Sequence, residues 1–407
     1  MDFFQEKITT IHNFYSDTDR MLQHLQELSF VRPAVVVLPM LYSEIENPPL
    51  PRIIDELNKC TFLKKVVVAL AADNREQYRT VVDFFERLEL DHLIVWCNGS
   101  RISSVIEEMK ENELDITGFS GKGKDAWISL GIASLYSYAI VLHDADIINY
   151  NKEFVAKLLY PIVHPQLNFY FNKGYYARIN LEKKTMHGRV YRLFVRPLLD
   201  TLMRDVKYES DILEYMQAFR YTLSGEFAFT RDLALNIRIP SDWGLEVGML
   251  AEIYRNTSLK RVCQTDLGFY DHKHKELGTN PSEGLTKMVN DIMVTFLRVV
   301  NETTSTQVST SFLRGIQVKY RRSAQDLIRQ YHADAVCNGL EYSRHLEERY
   351  VEIFAETLML AGTQYLKDPS GALLPDWARA LSAIPDLREQ LRDAAHADLE
   401  EVIRNRA

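Results

Sequence analysis

The stretch Tyr138-Ala139-Ile140-Val141-Leu142-His143-Asp144-Ala145-Asp146 constrains the fold most. An apolar run of strand length leads directly into two carboxylates one residue apart. In extended backbone, side chains at i and i+2 point to the same side, so Asp144 and Asp146 reach into one site just past the carboxyl end of a buried strand. Open α/β sheets bind their ligands there. Two carboxylates that close repel unless a positive group sits between them, and a hard divalent cation carrying a diphosphate is the usual occupant. Spacing alone decides nothing: Asp17-Thr18-Asp19 has it too, but in a polar context that reads as a helix cap or a solvated run.

The apolar strand before Asp144 favours the metal and nucleotide-sugar site of a glycosyltransferase, and the rest of the chain supplies a matching sheet. Ala34-Val35-Val36-Val37-Leu38-Pro39, Val66-Val67-Val68-Ala69-Leu70 and His92-Leu93-Ile94-Val95-Trp96 are unbroken apolar runs, as expected of strands covered on both faces. Helical patterns separate them: one introduced by Pro48, Pro49 and Pro51, one over residues 74–90, and one after Asn98-Gly99. A further helix, from about Lys122 to Tyr136, feeds the Asp144 strand. This alternation predicts a parallel sheet with right-handed crossovers. Residues 1–30 read as a polar N-terminal helix. Asn168–Phe171 and Tyr175–Arg178 read as two further strands, residues 188–205 and 244–256 as helices, and Arg261–Gln264 as a short strand. The catalytic domain is expected to span 31–280. From 281 to 407 the chain reads as a helical extension, a cover or oligomer surface without chemistry.

Gly118-Phe119-Ser120-Gly121-Lys122-Gly123-Lys124-Asp125 nearly spells a phosphate-binding P-loop. Asp125 stands where a magnesium-binding hydroxyl is needed, and Glu111–Asp115 is too polar to be the preceding strand. A basic loop at a helix N-terminus, offering a lysine and free N–H groups to a diphosphate, fits better.

Bulk properties remove other classes. With 48 basic and 56 acidic residues the net charge is −8, against a nucleic-acid binder or a basic membrane-surface protein. No apolar run approaches the roughly 20 residues that cross a bilayer, and the first residues lack the pattern of a secretory signal. Cys60, Cys97, Cys263 and Cys337 include no close pair, which suits a reducing cytoplasm.

Six segments in order resemble the glucosyl-3-phosphoglycerate synthases over residues 33–280: Pro39; Gly121-Lys122-Gly123 with Trp127, then Asp144-Ala145-Asp146; Gly188-Arg189-Val190 with Arg196-Pro197-Leu198-Leu199; Ser224-Gly225-Glu226-Phe227; Gly244-Leu245-Glu246-Val247-Gly248; and Asp266-Leu267-Gly268 to His272. The resemblance implies a glycosyltransferase-A fold and a homodimer. It also implies Mg2+- or Mn2+-dependent transfer of glucose, with retention, from a nucleotide donor such as UDP-glucose to 3-phosphoglycerate, a step towards the compatible solute glucosylglycerate. It places Pro39, Met40, Leu41 and Glu44 at the uridine, although Tyr42-Ser43-Glu44 matches the family's run only in part. Lys122 falls at the diphosphate, Asp144 and Ala145 beside ribose and uracil, and Asp146 and His272 at the metal. Glu226 and Glu246 are candidates for holding sugar hydroxyls. Gly188, Arg189, Val190, Tyr191 and His274 fall at the acceptor, where Arg189 suits a bidentate grip on phosphate or carboxylate. Tyr191, His274 and Tyr270 stand where the family commonly has threonine, asparagine and arginine, which leaves the acceptor open among anionic three-carbon acids. The alternatives are a mannosylglycerate-type synthase using GDP-mannose and a non-catalytic sugar-nucleotide-binding protein. A phosphatase built on Asp144 is disfavoured, because Ile148 replaces the threonine it needs.

Overall fold

In the computed structural model, residues 3–14, 17–207, 209–271, 284–371 and 373–405 are described. Nine strands are found among them: β1 (Thr9–Ile11), β2 (Ala34–Leu41), β3 (Leu63–Ala71), β4 (His92–Trp96), β5 (Ala139–Leu142), β6 (Phe171–Asn180), β7 (Thr185–Met186), β8 (Phe227–Thr230) and β9 (Val262–Tyr270). They form one sheet in the order β1-β9-β6-β8-β5-β2-β3-β4, with β7 hairpinned onto β6. β2 pairs in parallel with β3 and β5, β3 with β4, and β9 with β1 and β6. β8 runs antiparallel between β5 and β6.

Helices cover both faces. Val35–Leu38, Val66–Leu70 and Ala139–Leu142 are wholly buried, as the unbroken apolar runs require. Strand order departs from β2 in two directions, to β3 and β4 on one side and to β5 on the other. That switch point opens a crevice beyond the carboxyl ends of β2 and β5.

Three expectations are corrected. Residues 1–30 are not one helix: β1 adds to the sheet edge in register with Cys263–Thr265, and the helix is confined to Thr18–Leu28. Its N-cap is Asp17, whose Oδ1 accepts from Arg20 N at 3.1 Å, so the Asp17-Thr18-Asp19 run is a helix cap. The two strands expected near 168–178 are one, β6, continuous through Asn172 and Lys173. The helical pattern of Trp377–Ile403 is two helices, Trp377–Ala383 and Leu387–Arg404, separated at Pro385, whose ring forbids helical continuation.

The C-terminal helices also share the main core. Trp377 stacks on Trp127 with ring centroids 4.1 Å apart and donates from Nε1 to Trp127 O at 3.1 Å, while Trp127 Nε1 donates to Pro375 O at 2.7 Å. Gly131 makes this possible, since a Cβ there would lie 2.0 Å from Trp377 Cζ2.

Candidate active site

The crevice is a cavity of about 680 Å³. Its floor is the end of β2 (Pro39, Met40 and Leu41), with Glu44 in the 3-10 turn that follows, and Asp144, Ala145 and Asp146 just past β5. The bend after β5 is pinned by His143. Its Nδ1 lies 3.1 Å from Asp144 O and its Nε2 3.0 Å from Tyr150 Oη. A carbonyl only accepts, so Nδ1 carries the proton and Nε2 accepts from the tyrosine. Burial holds this imidazole neutral, with its pKa lowered to about 4. A neutral, locked ring leaves the negative charge of the bend to the two carboxylates.

Lys122 answers that charge. It is the first residue of the helix Lys122–Ser134, which Gly121 opens at φ +106, a backbone region that favours glycine. Gly123 packs against the Pro240–Ser241 backbone, where a Cβ would stand 2.0 Å from Pro240 O. Held by these glycines, Lys122 Nζ meets Asp144 Oδ1 at 2.6 Å and Glu246 Oε1 at 3.3 Å. Burial alone lowers its pKa, but the two carboxylates outweigh that and raise it, so it stays charged. Gly225 gives Asp144 its room, since a Cβ there would lie 2.7 Å from Asp144 Oδ2.

Asp146 is different. Its Oδ1 is shut off from solvent and has no hydrogen-bond partner among the described residues. Burial first, then the negative charges of Asp144, Glu44 and Glu226, raise its pKa to about 7, with Lys122 opposing. An orphaned carboxylate oxygen amid other acids is a poor arrangement for a bare protein and a good one for a divalent cation. These residues fit Mg2+ or Mn2+. The other expected ligand, His272, and the acceptor-side His274 lie outside the described residues.

Glu226 corrects an expectation. It does not line the cavity: it is fully buried, accepting from Tyr176 Oη at 2.6 Å, Tyr270 Oη at 2.8 Å and Ser224 Oγ at 3.1 Å. Burial, then Asp144, raises its pKa. It anchors the tyrosines that form the wall, and of the pair it is Glu246 that lines the cavity.

At the other end lie Gly188, Arg189, Val190 and Tyr191. Gly188 has φ +74, and Val190–Val195 forms a π-helical turn that continues into the helix Arg196–Asp205. Arg189 Nε is 3.8 Å from Glu347 Oε1 and its guanidinium lies 4.9 Å from the Tyr350 ring centroid. Arg192 forks onto Glu347 at 2.7 and 3.0 Å, and Tyr342 Oη donates to the same carboxylate at 3.1 Å. Arg196 faces Asp200 at 3.5 Å.

The sequence reading missed several lining residues. Arg178 and Tyr176 come from β6 and Tyr221 from a loop, while Leu285, Met288 and Ile292 come from the helix Gly284–Thr303, in a region expected to lack chemistry. Only strand pairing and helix docking bring them here, so no local motif announces them.

A mostly parallel sheet with an antiparallel insertion, carrying acids at its switch point opposite a lysine on a glycine-opened helix, defines a glycosyltransferase of the A-type fold. The glucosyl-3-phosphoglycerate synthase of Mycobacterium tuberculosis, solved with Mn2+, UDP-glucose and phosphoglyceric acid, shares that fold at TM-score 0.54 and 21% identity, over 73% of this chain and 88% of that one. No protein-family model matches the chain. A glucosyl-3-phosphoglycerate synthase of Methanococcoides burtonii is 60% identical over 98% of this chain and 99% of its own length, and one of Persephonella marina 40% identical over 98% of each. The chain belongs to the glucosyl-3-phosphoglycerate synthases.

Proposed function

We propose that the cavity binds UDP-glucose with Mg2+ or Mn2+ and transfers the glucosyl group to 3-phosphoglycerate with retention of configuration. The observation that carries this is the orphaned, buried Oδ1 of Asp146 beside the Lys122–Asp144–Glu246 cluster. Such a set fits a cation and a diphosphate and little else. Full-length similarity to synthases of this name supports the substrates.

Roles follow from position. Pro39, Met40, Leu41 and Glu44 lie where the uridine would sit, with Asp144 and Ala145 next to them. Asp146 would hold the metal, and the bound metal supplies charge neutralisation for the departing UDP. Lys122 adds a fixed positive charge at the developing phosphate oxygens. Glu246, already held by Lys122, is placed to accept from glucose hydroxyls. With Glu226 sealed behind Tyr176 and Tyr270, attack of the acceptor hydroxyl from the leaving-group side accounts for retention. The Gly188–Tyr191 turn, with Arg189 at the start of a helix, is suited to the acceptor phosphate. Among the described residues no helix is long and apolar enough to cross a membrane. A homodimer working in a reducing cytoplasm completes the reading.

The test is a donor panel of UDP-, GDP- and ADP-glucose and GDP-mannose with 3-phosphoglycerate, with and without Mg2+ or Mn2+. UDP-glucose with metal is expected to give glucosyl-3-phosphoglycerate, and Asp146→Ala to abolish it. Preferred turnover of GDP-mannose, or near wild-type turnover by Asp146→Ala, overturns the reading.

A further inference from the structure

Away from the Gly188 turn, the crevice runs toward the opposite edge of the sheet. The Lys122–Asp144 cluster stands past β5, and the strands continue from there in the order β5-β2-β3-β4. Neighbouring strands lie about 4.8 Å apart. A nucleotide with its diphosphate at that cluster and its ribose over the end of β2 therefore carries its base across the ends of β3 and β4. Leu41, Ala71 and Cys97 form a row there: Leu41 pairs in register with Ala71, and Cys97 N donates to Leu70 O at 2.9 Å. All three line the cavity, together with Phe119. These groups suit the faces of a base and do not distinguish one base from another.

Few polar groups are left to read its edge. Glu44 Oε2 accepts from Asn47 Nδ2 at 2.7 Å. Asn98 closes the end of β3, its Oδ1 accepting from Ala72 N at 3.1 Å and its Nδ2 donating to Ala72 O at 2.9 Å. Asp125, the residue that breaks the P-loop pattern, is uncommitted. It lies three residues after Lys122, on the same face of the helix, and lines the cavity beside Cys97, whose Sγ is 3.9 Å from Asp125 O. Among the described residues its carboxyl has no hydrogen bond and no ion pair. The titratable groups that face it are Lys124 on its own helix and the Cys97 thiol at the end of β4, which burial first, then Asp125, keep neutral. Burial, opposed by Lys124, brings the Asp125 carboxyl to about 7, so both of its forms are populated near neutrality.

We propose that Asp125 reads the pairing edge of the donor's base and sets the choice between uracil and guanine. The two forms of a carboxyl group present different edges. The protonated acid offers one O–H donor and one carbonyl acceptor, which match the adjacent carbonyl and N–H that both bases carry. The carboxylate accepts only. It is repelled by the two carbonyls that flank N3–H in uracil, and it is matched by the adjacent N1–H and amino group of guanine as a charge-assisted pair. Uracil is thus admitted while Asp125 holds its proton, and guanine gains on it as pH rises through about 7. This assignment deepens the donor reading above and rests on it.

Calorimetry compares UDP with GDP, each with Mg2+, at pH 6 and pH 8 in wild type, Asp125→Asn and Asp125→Ala. Both ligands share the diphosphate and the metal, so the ratio of their affinities isolates the base. In wild type the affinity for UDP relative to GDP is expected to fall about tenfold between the two pH values, the scale of a hydrogen bond to a charged group. Asparagine keeps a donor and an acceptor at every pH, so the ratio for Asp125→Asn is expected to stay within about threefold of the wild-type value at pH 6. Asp125→Ala removes the reader: its ratio is expected to be equally flat, with UDP bound about tenfold more weakly than by wild type at pH 6. The asparagine variant carries the test alone if the alanine variant does not fold. A wild-type ratio that falls less than about threefold, an equally steep fall in Asp125→Asn, or a folded Asp125→Ala that binds UDP as tightly as wild type at pH 6 overturns the assignment. A wild type that binds neither diphosphate with Mg2+ overturns the donor reading, and this assignment with it.

Discussion

Replacing Lys122 by methionine separates the two kinds of cation that the acidic cluster can accept. The side chain keeps its length and loses its charge, so Asp144 and Glu246 lose an ammonium at 2.6 and 3.3 Å. At an effective dielectric of ~20 those contacts are worth about 6 and 5 kcal/mol of gross attraction. Desolvation of the three groups offsets most of it. The lysine side chain is 22% exposed and that of Asp144 29%, so water softens the loss. A net destabilisation of about 2 kcal/mol is expected, below the ~3–5 kcal/mol of a fully buried broken pair. In thermal unfolding of a chain this long that is a fall in Tm of roughly 2 °C. Added Mn2+ is expected to raise the Tm of the variant more than that of wild type, because a divalent ion then neutralises acids that the lysine no longer serves. Transfer is expected to fall about 10²- to 10³-fold, the scale for losing one preorganised charge at a developing anion. Rate and metal response thus move in opposite directions. A variant with unchanged Tm, an unchanged Mn2+ response and a rate within tenfold of wild type would refute the reasoning, because Lys122 would then be a surface cation with no tie to the acids.

Two further perturbations test the walls of the site. Burial, opposed by Lys124, raises the pKa of Asp125 to about 7 from its ordinary 3.8. Between those values the folded protein holds a proton that the unfolded chain has released, so stability from this group is present at low pH and lost as pH rises through about 4 to 7. Asp125→Asn is expected to remove that slope, its Tm gaining on wild type from pH 5 to pH 8; parallel curves count against a buried Asp125. Trp377→Ala removes a fully buried ring from the Trp127 stack and leaves Trp127 O without the donor it has at 3.1 Å. A loss of about 3–5 kcal/mol by denaturant titration is expected, and a loss under about 1 kcal/mol would mean that the C-terminal segment does not lean on the sheet.

How much of this was legible in the chain follows from how local each signal is. β2, β3, β4 and β5 could be read because strands covered on both faces must be apolar at every position. β6 could not, because Asn172-Lys173-Gly174 looks like a turn. In the fold Asn172 Nδ2 donates to Lys157 O and Leu158 O of the helix Lys152–Val163, and Lys173 Nζ to Ser224 O at 2.7 Å, so buried polar side chains continue the strand by finding acceptors on the elements packed against it. β1 is three residues long and exists only through its pairing with β9. The site divides the same way. Asp144, Asp146 and Lys122 announce themselves because each sits at the end of a local element. Glu226, two residues into an equally suggestive segment, faces inward, and the strand alternation of so short a β8 gave no way to tell which side it took.

The C-terminal third is where the sequence misled, and the reason bears on how the site works. A run of amphipathic helices reads as a cover because its apolar stripes account for its composition. Some of its residues nevertheless act on the crevice, two of them from a distance. Trp377 braces the helix that Lys122 begins, through Trp127 five residues on. Glu347 neutralises Arg192 and adjoins Arg189, so the Gly188–Tyr191 turn takes its charge balance from a helix 155 residues downstream of Arg192. Met288 closes the cavity itself. A buried ion pair is weak evidence for stability, since apolar substitutes often do as well. It is better evidence for a fixed geometry: with Glu347 forked onto Arg192, the π-helical turn behind Arg189 cannot slide without stranding a buried charge. On the proposed reading the helical region therefore belongs to the acceptor site, because it holds the Gly188–Tyr191 turn still.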